Sequence, residues 1–154
     1  MAMSSQPLHN VVNFGSGNLA HTTQAYTPDL AFFDHPSQPA ATRSDRIPGC
    51  LKPSSKWWSD MPKSHRLFDR VQFKQILSEV NRYMAQSNTR IGFILTDKEL
   101  VPIRKLAEKG HVEIADSIPW DACGQGEDRP QLTVLLALWY LGMLASDDQQ
   151  LVMG

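Results

Sequence analysis

The chain has 154 residues, 42% of them apolar, which suits one domain built round a single core. Its 15 basic and 16 acidic residues leave a formal net charge of −1, excluding a general electrostatic pull toward nucleic acid or anionic lipid. The 2 cysteines, Cys50 and Cys123, have neither metal-ligand spacing nor the density of a disulfide framework, so a reducing, intracellular setting is expected.

Residues 1–23 are polar and rich in Gly, Ser and Asn, with only "VVNF" able to form a strand. They read as a loosely held arm, and the stretch lacks the basic and apolar regions of a secretory leader. Residues 24–154 are expected to form the single domain. "AYTPDLAFFD" is a first strand candidate, confined by Pro28 to a strand beginning or an edge. "HPSQPAATRSDR" reads as a hairpin loop, after which "IPGCLK" returns as a second strand.

A helix follows. Asp69 is the expected N-cap, Gln72 completes a capping box, and Phe68 can staple onto Phe73. Phe73, Ile76, Leu77, Val80, Tyr83 and Met84 form one apolar stripe, and Asn88 is the expected stop. "IGFILTD" reads as a buried strand. "ELVPIRKL" and "HVEIAD" flank a Glu-Lys-Gly turn as a hairpin, with the Pro102 strand near an edge. The apolar run Leu132 to Ala145 has 14 residues, short of the roughly 20 that a bilayer requires. It is read as a core helix, apolar all round, rather than a membrane span. The order β-β-α-β-β-β-α implies a mixed α/β or α+β fold, a central sheet flanked by helices.

Side chains at i and i+2 of a strand share a face, so Cys50 and Lys52 point together while Leu51 points into the core. If the first two strands pair as a hairpin, Asp29 stands beside them. A carboxylate pair with a lysine on adjacent strands would hold Mg²⁺ near a scissile phosphate. Lys52 and Lys56 flank Pro53-Ser54-Ser55 and could grip an anion, and Trp57 and Trp58, if exposed, could stack on a base. The bland readings are a half-buried free cysteine, a turn-capping Asp29 and a solvated Lys52. The 5 histidines are scattered, and no P-loop, dinucleotide fingerprint or Gly-x-Ser-x-Gly elbow is present.

"YTPDLAFFD", "PGCLKPSSKW", the helix "FKQILSEVNRYM" and the strand "RIGFILTDKEL" together resemble the restriction-endonuclease-like, PD-(D/E)XK, domains of fungal type. The resemblance implies a restriction-endonuclease-like central sheet flanked by helices. It also implies catalytic positions at Asp29, Cys50 and Lys52, with Cys50 standing where the second acid belongs. Gln72, Gln75, Glu79, Tyr83 and Trp57 are expected to line the pocket. A surviving Mg²⁺ site would use Asp29 and Glu79, with Glu79 or Asp45 replacing the missing acid. Cysteine suits a hard cation poorly, so the expectation is a nuclease-fold protein with a degenerate metal site, inactive as a nuclease. The alternatives are a small-molecule enzyme of fungal biosynthesis reusing the Asp29, Cys50 and Lys52 pocket, or an interaction module. Expected partners are a small molecule or weakly bound nucleic acid, with no membrane; the sequence indicates no oligomeric state.

Overall fold

The computed structural model describes residues 10–19, 26–34, 44–122 and 131–151. The strands are β1 (Val12–Ser16), β2 (Leu30–Asp34), β3 (Asp45–Leu51), β4 (Ile91–Leu95), β5 (Glu99–Lys105), β6 (Val112–Ile114) and β7 (Ile118–Pro119). The helices are α1 (Leu67–Gln86), α2 (Val134–Ser146) and the single turn α3 (Asp148–Leu151). All seven strands join one sheet in the order β1-β2-β3-β4-β5-β6, with β7 also on β5. Among the described residues only β3 and β4 run parallel, and α1 makes the crossover between them. The fold is mixed α+β. Among the described residues, no helix is long and apolar enough to cross a membrane.

The sheet has a helix on each face because its strands alternate. Phe32, Ile47, Phe93, Leu95 and Leu100 face Val134, Ala137, Leu141 and Ala145 of α2. Cys50, Ile94, Val101 and Ile103 face Phe73, Val80, Tyr83 and Met84 of α1. Such a sheet, apolar on both faces, is stable only with both faces covered.

Several expectations change. Val12–Ser16, inside the stretch read as a loose arm, forms β1 and is paired along β2. α1 begins at Leu67 after the N-cap Arg66. Asp69 therefore lies in the first turn, buried, and accepts from Ser64 Oγ at 2.6 Å. Phe68 is 67% exposed and makes no staple. The helix does stop as expected, with Asn88 in the left-handed region at φ 50°. Pro102 is on β5, between β4 and the β6/β7 side, not at an edge. Its carbonyl accepts from Ala115 N at 3.0 Å, in the gap between the β6 and β7 pairings, so its missing N–H breaks no ladder bond.

One residue is extra in β3. Phe32 pairs with Ile47 and Phe33 with Asp45, which leaves Arg46 as a bulge. Arg46 uses that position to bind Ala145 O and Asp148, and reaches Asp34 at 3.2 Å. It ties the β2–β3 hairpin to the end of α2. Asp45, turned to the face of Ala31 and Phe33, is buried with neither carboxylate oxygen partnered among the described residues. Burial pushes its pKa up to about 7.

Candidate functional site

Asp29, Cys50, Lys52, Glu79 and Tyr83 meet at the C-terminal end of β3. The antiparallel register Leu30 opposite Gly49 brings Asp29, one residue before β2, alongside the end of β3. There Leu51 N donates to Asp29 Oδ2 at 2.9 Å. Lys52 Nζ lies 3.7 Å from Asp29 Oδ2 and 3.3 Å from Glu79 Oε1. Tyr83 OH, one turn along α1, donates to the same Glu79 oxygen at 3.0 Å. Glu79 and Tyr83 are four apart and so stand on one helix flank.

Cys50 is fully buried against α1, whereas Leu51 is 51% exposed on the opposite face, not in the core as expected. Strand parity holds; the two residues simply have the reverse burial, because α2 does not cover the end of β3 where Leu51 lies. Donor atoms of Asp29, Cys50 and Glu79 all lie within 4.8 Å of one another. Burial, then the nearby Glu79 carboxylate, drives the Cys50 thiol pKa far up against the opposing pull of Lys52. This environment favours the protonated thiol over the thiolate. The Lys52 pKa is raised: burial pulls it down, but the anionic neighbours Glu79 and Asp29 outweigh it, with a further contribution from Cys50 only where the thiol ionises. Burial, then the bond to Glu79, raises the Tyr83 phenol. The cluster thus gathers two acidic side chains, a lysine, a thiol and a phenol.

Gln75 lines an open cleft of about 600 Å³ with Glu79, Tyr83, Lys74, Arg82 and Tyr26. Gln72 stands half-buried two turns before Glu79, outside that lining. Trp57 does not line the pocket. It is fully buried, stacked on Phe73 with ring centroids 5.4 Å apart and planes 7° apart. Asp45 cannot replace the missing acid: it sits five residues before Cys50, roughly 16 Å along the strand. In the Pro53-Ser54-Ser55 turn, Asp97 accepts from Ser54 N at 2.6 Å and Ser54 Oγ at 2.9 Å, and Lys52 is turned to Glu79, so the turn's own donors and one of its two lysines are already engaged.

Four residues missed in the sequence hold Asp29 in place. Arg82 lies over the Tyr26 ring at 4.5 Å, and Gln86 Nε2 donates to Tyr26 O at 2.6 Å. Gly17 N donates to Asp29 O at 3.3 Å. A Cβ on Gly17 would lie 2.2 Å from Pro28 O, so only glycine allows that approach. No local signal marks these contacts, since each joins elements far apart in sequence.

Comparison of the chain with family models, with curated proteins and with solved structures finds no match.

Proposed function

We propose that this chain is a divalent-cation-dependent phosphodiesterase of nuclease type, in which Glu79 on α1 supplies the acid that Cys50 has displaced from β3. The observation that carries this reading is the Glu79 carboxylate reaching Lys52 Nζ at 3.3 Å, with Asp29 at 3.7 Å from the same ammonium. The donor set fits the cation: Mg²⁺ commonly needs one or two carboxylates and keeps several waters. Asp29 and Glu79 would hold it. When bound, the cation would polarise the phosphoryl oxygen and offset developing negative charge.

The protein groups then have separate tasks. Leu51 N fixes one Asp29 oxygen and Tyr83 OH fixes one Glu79 oxygen, leaving the other oxygen of each carboxylate for a ligand. Lys52, held protonated by its neighbours, orients the attacking water or meets a phosphate oxygen. Lys74 and Arg82 give the adjoining cleft a local positive rim for a polyanion, which the whole-chain charge does not provide. The PD-(D/E)XK resemblance supports the same reading.

One observation favours a second reading. Lys52 Nζ lies between the two carboxylates and already serves as their internal counter-ion, as in an inactive descendant of such an enzyme. Calorimetry and melting with added Mg²⁺ or Mn²⁺ separate the two, together with cleavage of single- and double-stranded DNA and RNA. The first reading expects cation binding that Asp29→Asn or Glu79→Gln abolishes, and cleavage that Lys52→Met abolishes. The second expects no cation binding in the wild type and a gain on Cys50→Asp. Cation binding without cleavage of any nucleic acid refutes the phosphodiesterase assignment.

A further inference from the structure

We infer that the cation site prefers a borderline-soft divalent cation such as Zn²⁺ or Co²⁺ over Mg²⁺, with Cys50 Sγ as its third protein donor. This rests on the reading of Asp29 and Glu79 as cation ligands. The three donors come from three separate elements: the bend before β2, the end of β3, and α1. Their donor atoms lie within 4.8 Å of one another. Bonds of about 2.0–2.3 Å in a tetrahedral site bring donors to roughly 3.5 Å, so rotamer adjustments on the order of 1 Å close the set. Cys50 is fully buried, yet its Sγ lies within 4.8 Å of a carboxylate oxygen of both Asp29 and Glu79.

Mg²⁺ would rely on the two carboxylates and water and draw nothing from the sulfur, for it merely part of the wall. To a borderline cation the same wall is a ligand. On binding, the S–H bond breaks, the S–metal bond forms and the proton passes to solvent. Three protein donors leave open positions for water or substrate, the arrangement of catalytic rather than closed structural sites.

The test uses the full chain carrying Cys123→Ser, so that Cys50 is the sole thiol, titrated with Co²⁺ and separately with Mg²⁺. Thiolate-to-cobalt charge-transfer absorption in the near ultraviolet and calorimetric heat are read together. The inference expects the band in this parent, its loss on Cys50→Ser, and a fall in Co²⁺ affinity of at least about tenfold with Mg²⁺ affinity undiminished. If Cys50→Ser does not fold, Cys50→Ala is read in the same assays. Co²⁺ heat without the band, or Mg²⁺ bound as tightly as Co²⁺, overturns the role of Cys50 and leaves the Asp29–Glu79 site standing. Heat from neither cation overturns both.

A separate observation, on the other face of the sheet, carries a second inference. α2 was expected to be buried all round, but it carries two apolar stripes and only one is in the core. Leu135, Leu136, Trp139, Tyr140 and Met143 form the other, between 45% and 70% exposed, and Leu132, just before the helix, extends it at 50%. We propose that two copies of the chain pair through this stripe. The helical members at 135, 136, 139, 140 and 143 recur at the three- and four-residue spacing of a seam into which a second helix packs. From Leu132 to Ser146 there is no charged side chain, so apposing two copies opposes no like charges, and a two-fold axis perpendicular to the helix would set the helix dipoles antiparallel. The stripe exposes roughly 600 Å² per copy, which places a dimer near the lower limit of specific interfaces, about 1,200 Å² in total. Trp139 and Tyr140 are residue types that dominate such contacts. An anionic bilayer suits the face less well, because Asp147 and Asp148 follow it directly.

Sedimentation equilibrium over about 1–100 μM chain reads the association. The proposal expects a reversible dimer that Leu135→Glu with Trp139→Glu converts to a folded monomer, the two sites being exposed in the single chain. A wild-type monomer throughout that range, or a dimer the double substitution leaves intact, overturns it.

Discussion

Replacing Gly17 by alanine tests how Asp29 is placed. The added Cβ would lie 2.2 Å from Pro28 O and 2.7 Å from Pro28 Cγ. A carbon meets a carbonyl oxygen at about 3.3 Å or more, so the backbone at Pro28 must retreat by about 1 Å. Asp29 follows directly, and its carboxylate accepts from Leu51 N at 2.9 Å. A displacement on the order of 1 Å takes that contact beyond hydrogen-bonding range. Overpacking of this kind costs about 1–3 kcal/mol, read as a lower urea midpoint. Cation affinity should fall as well, although Gly17 meets Asp29 only at its backbone carbonyl and offers the cation no donor. Gly15→Ala is the control: its Cβ would meet Leu19 and Phe33 at 3.5 and 3.6 Å, ordinary contacts, and should change little. Equal effects of the two substitutions, or no effect of Gly17→Ala on either measurement, would refute the argument.

Three further outcomes follow from the packing and charge. Asp45 has a folded pKa of about 7 against an ordinary 3.8, so its stability contribution is complete below pH 3.8 and is lost as pH rises through 7. Asp45→Asn should therefore stabilise the protein by on the order of 2 kcal/mol at pH 8 and much less at pH 4, measured by urea unfolding at both values. Trp57→Ala should cost about 3–5 kcal/mol, while Trp57→Phe, which keeps the stack on Phe73 and removes an indole N–H unpartnered among the described residues, should cost less than half as much. At about 150 mM salt, mobility shifts with DNA or RNA should show no complex at micromolar protein, since the chain has a net charge of −1; a salt-resistant complex would contradict this.

What could be read from the sequence was what depends on near neighbours. The stripe from Phe73 to Met84, the stop at Asn88 and the hairpin turning at Gly110 each lie within one local period, and each is in place. Asp29, Cys50 and Lys52 converge because strand parity and a hairpin suffice to bring them together. Glu79 joined them through helix phase relative to Tyr83. The helix start was misplaced because an acid is favourable both as an N-cap and in the first turn, and Asp69 takes the second role. Trp57 was misread because its burial depends on Phe73, sixteen positions away across a turn, with nothing local to announce it. "VVNF" was legible as a possible strand, but its pairing into the sheet was not, because a half-exposed edge strand keeps a polar composition. The second stripe of α2 escaped notice because apolar content alone does not say which face is covered.

The bulge at Arg46 has a bearing on how the chain tolerates changes in length. Side chains alternate along a strand, so gaining or losing one residue would ordinarily turn everything beyond it to the other face. Here one surplus residue is already absorbed between Asp45 and Ile47, upstream of the site. Insertions in the β2–β3 connection can be taken up before that point, leaving Cys50 and Lys52 indexed to Asp29. A deletion between Ile47 and Lys52 has no such buffer, and would turn either the core strand or the ligand set the wrong way. Length variants compatible with the site should therefore cluster before Arg46 and be absent after it.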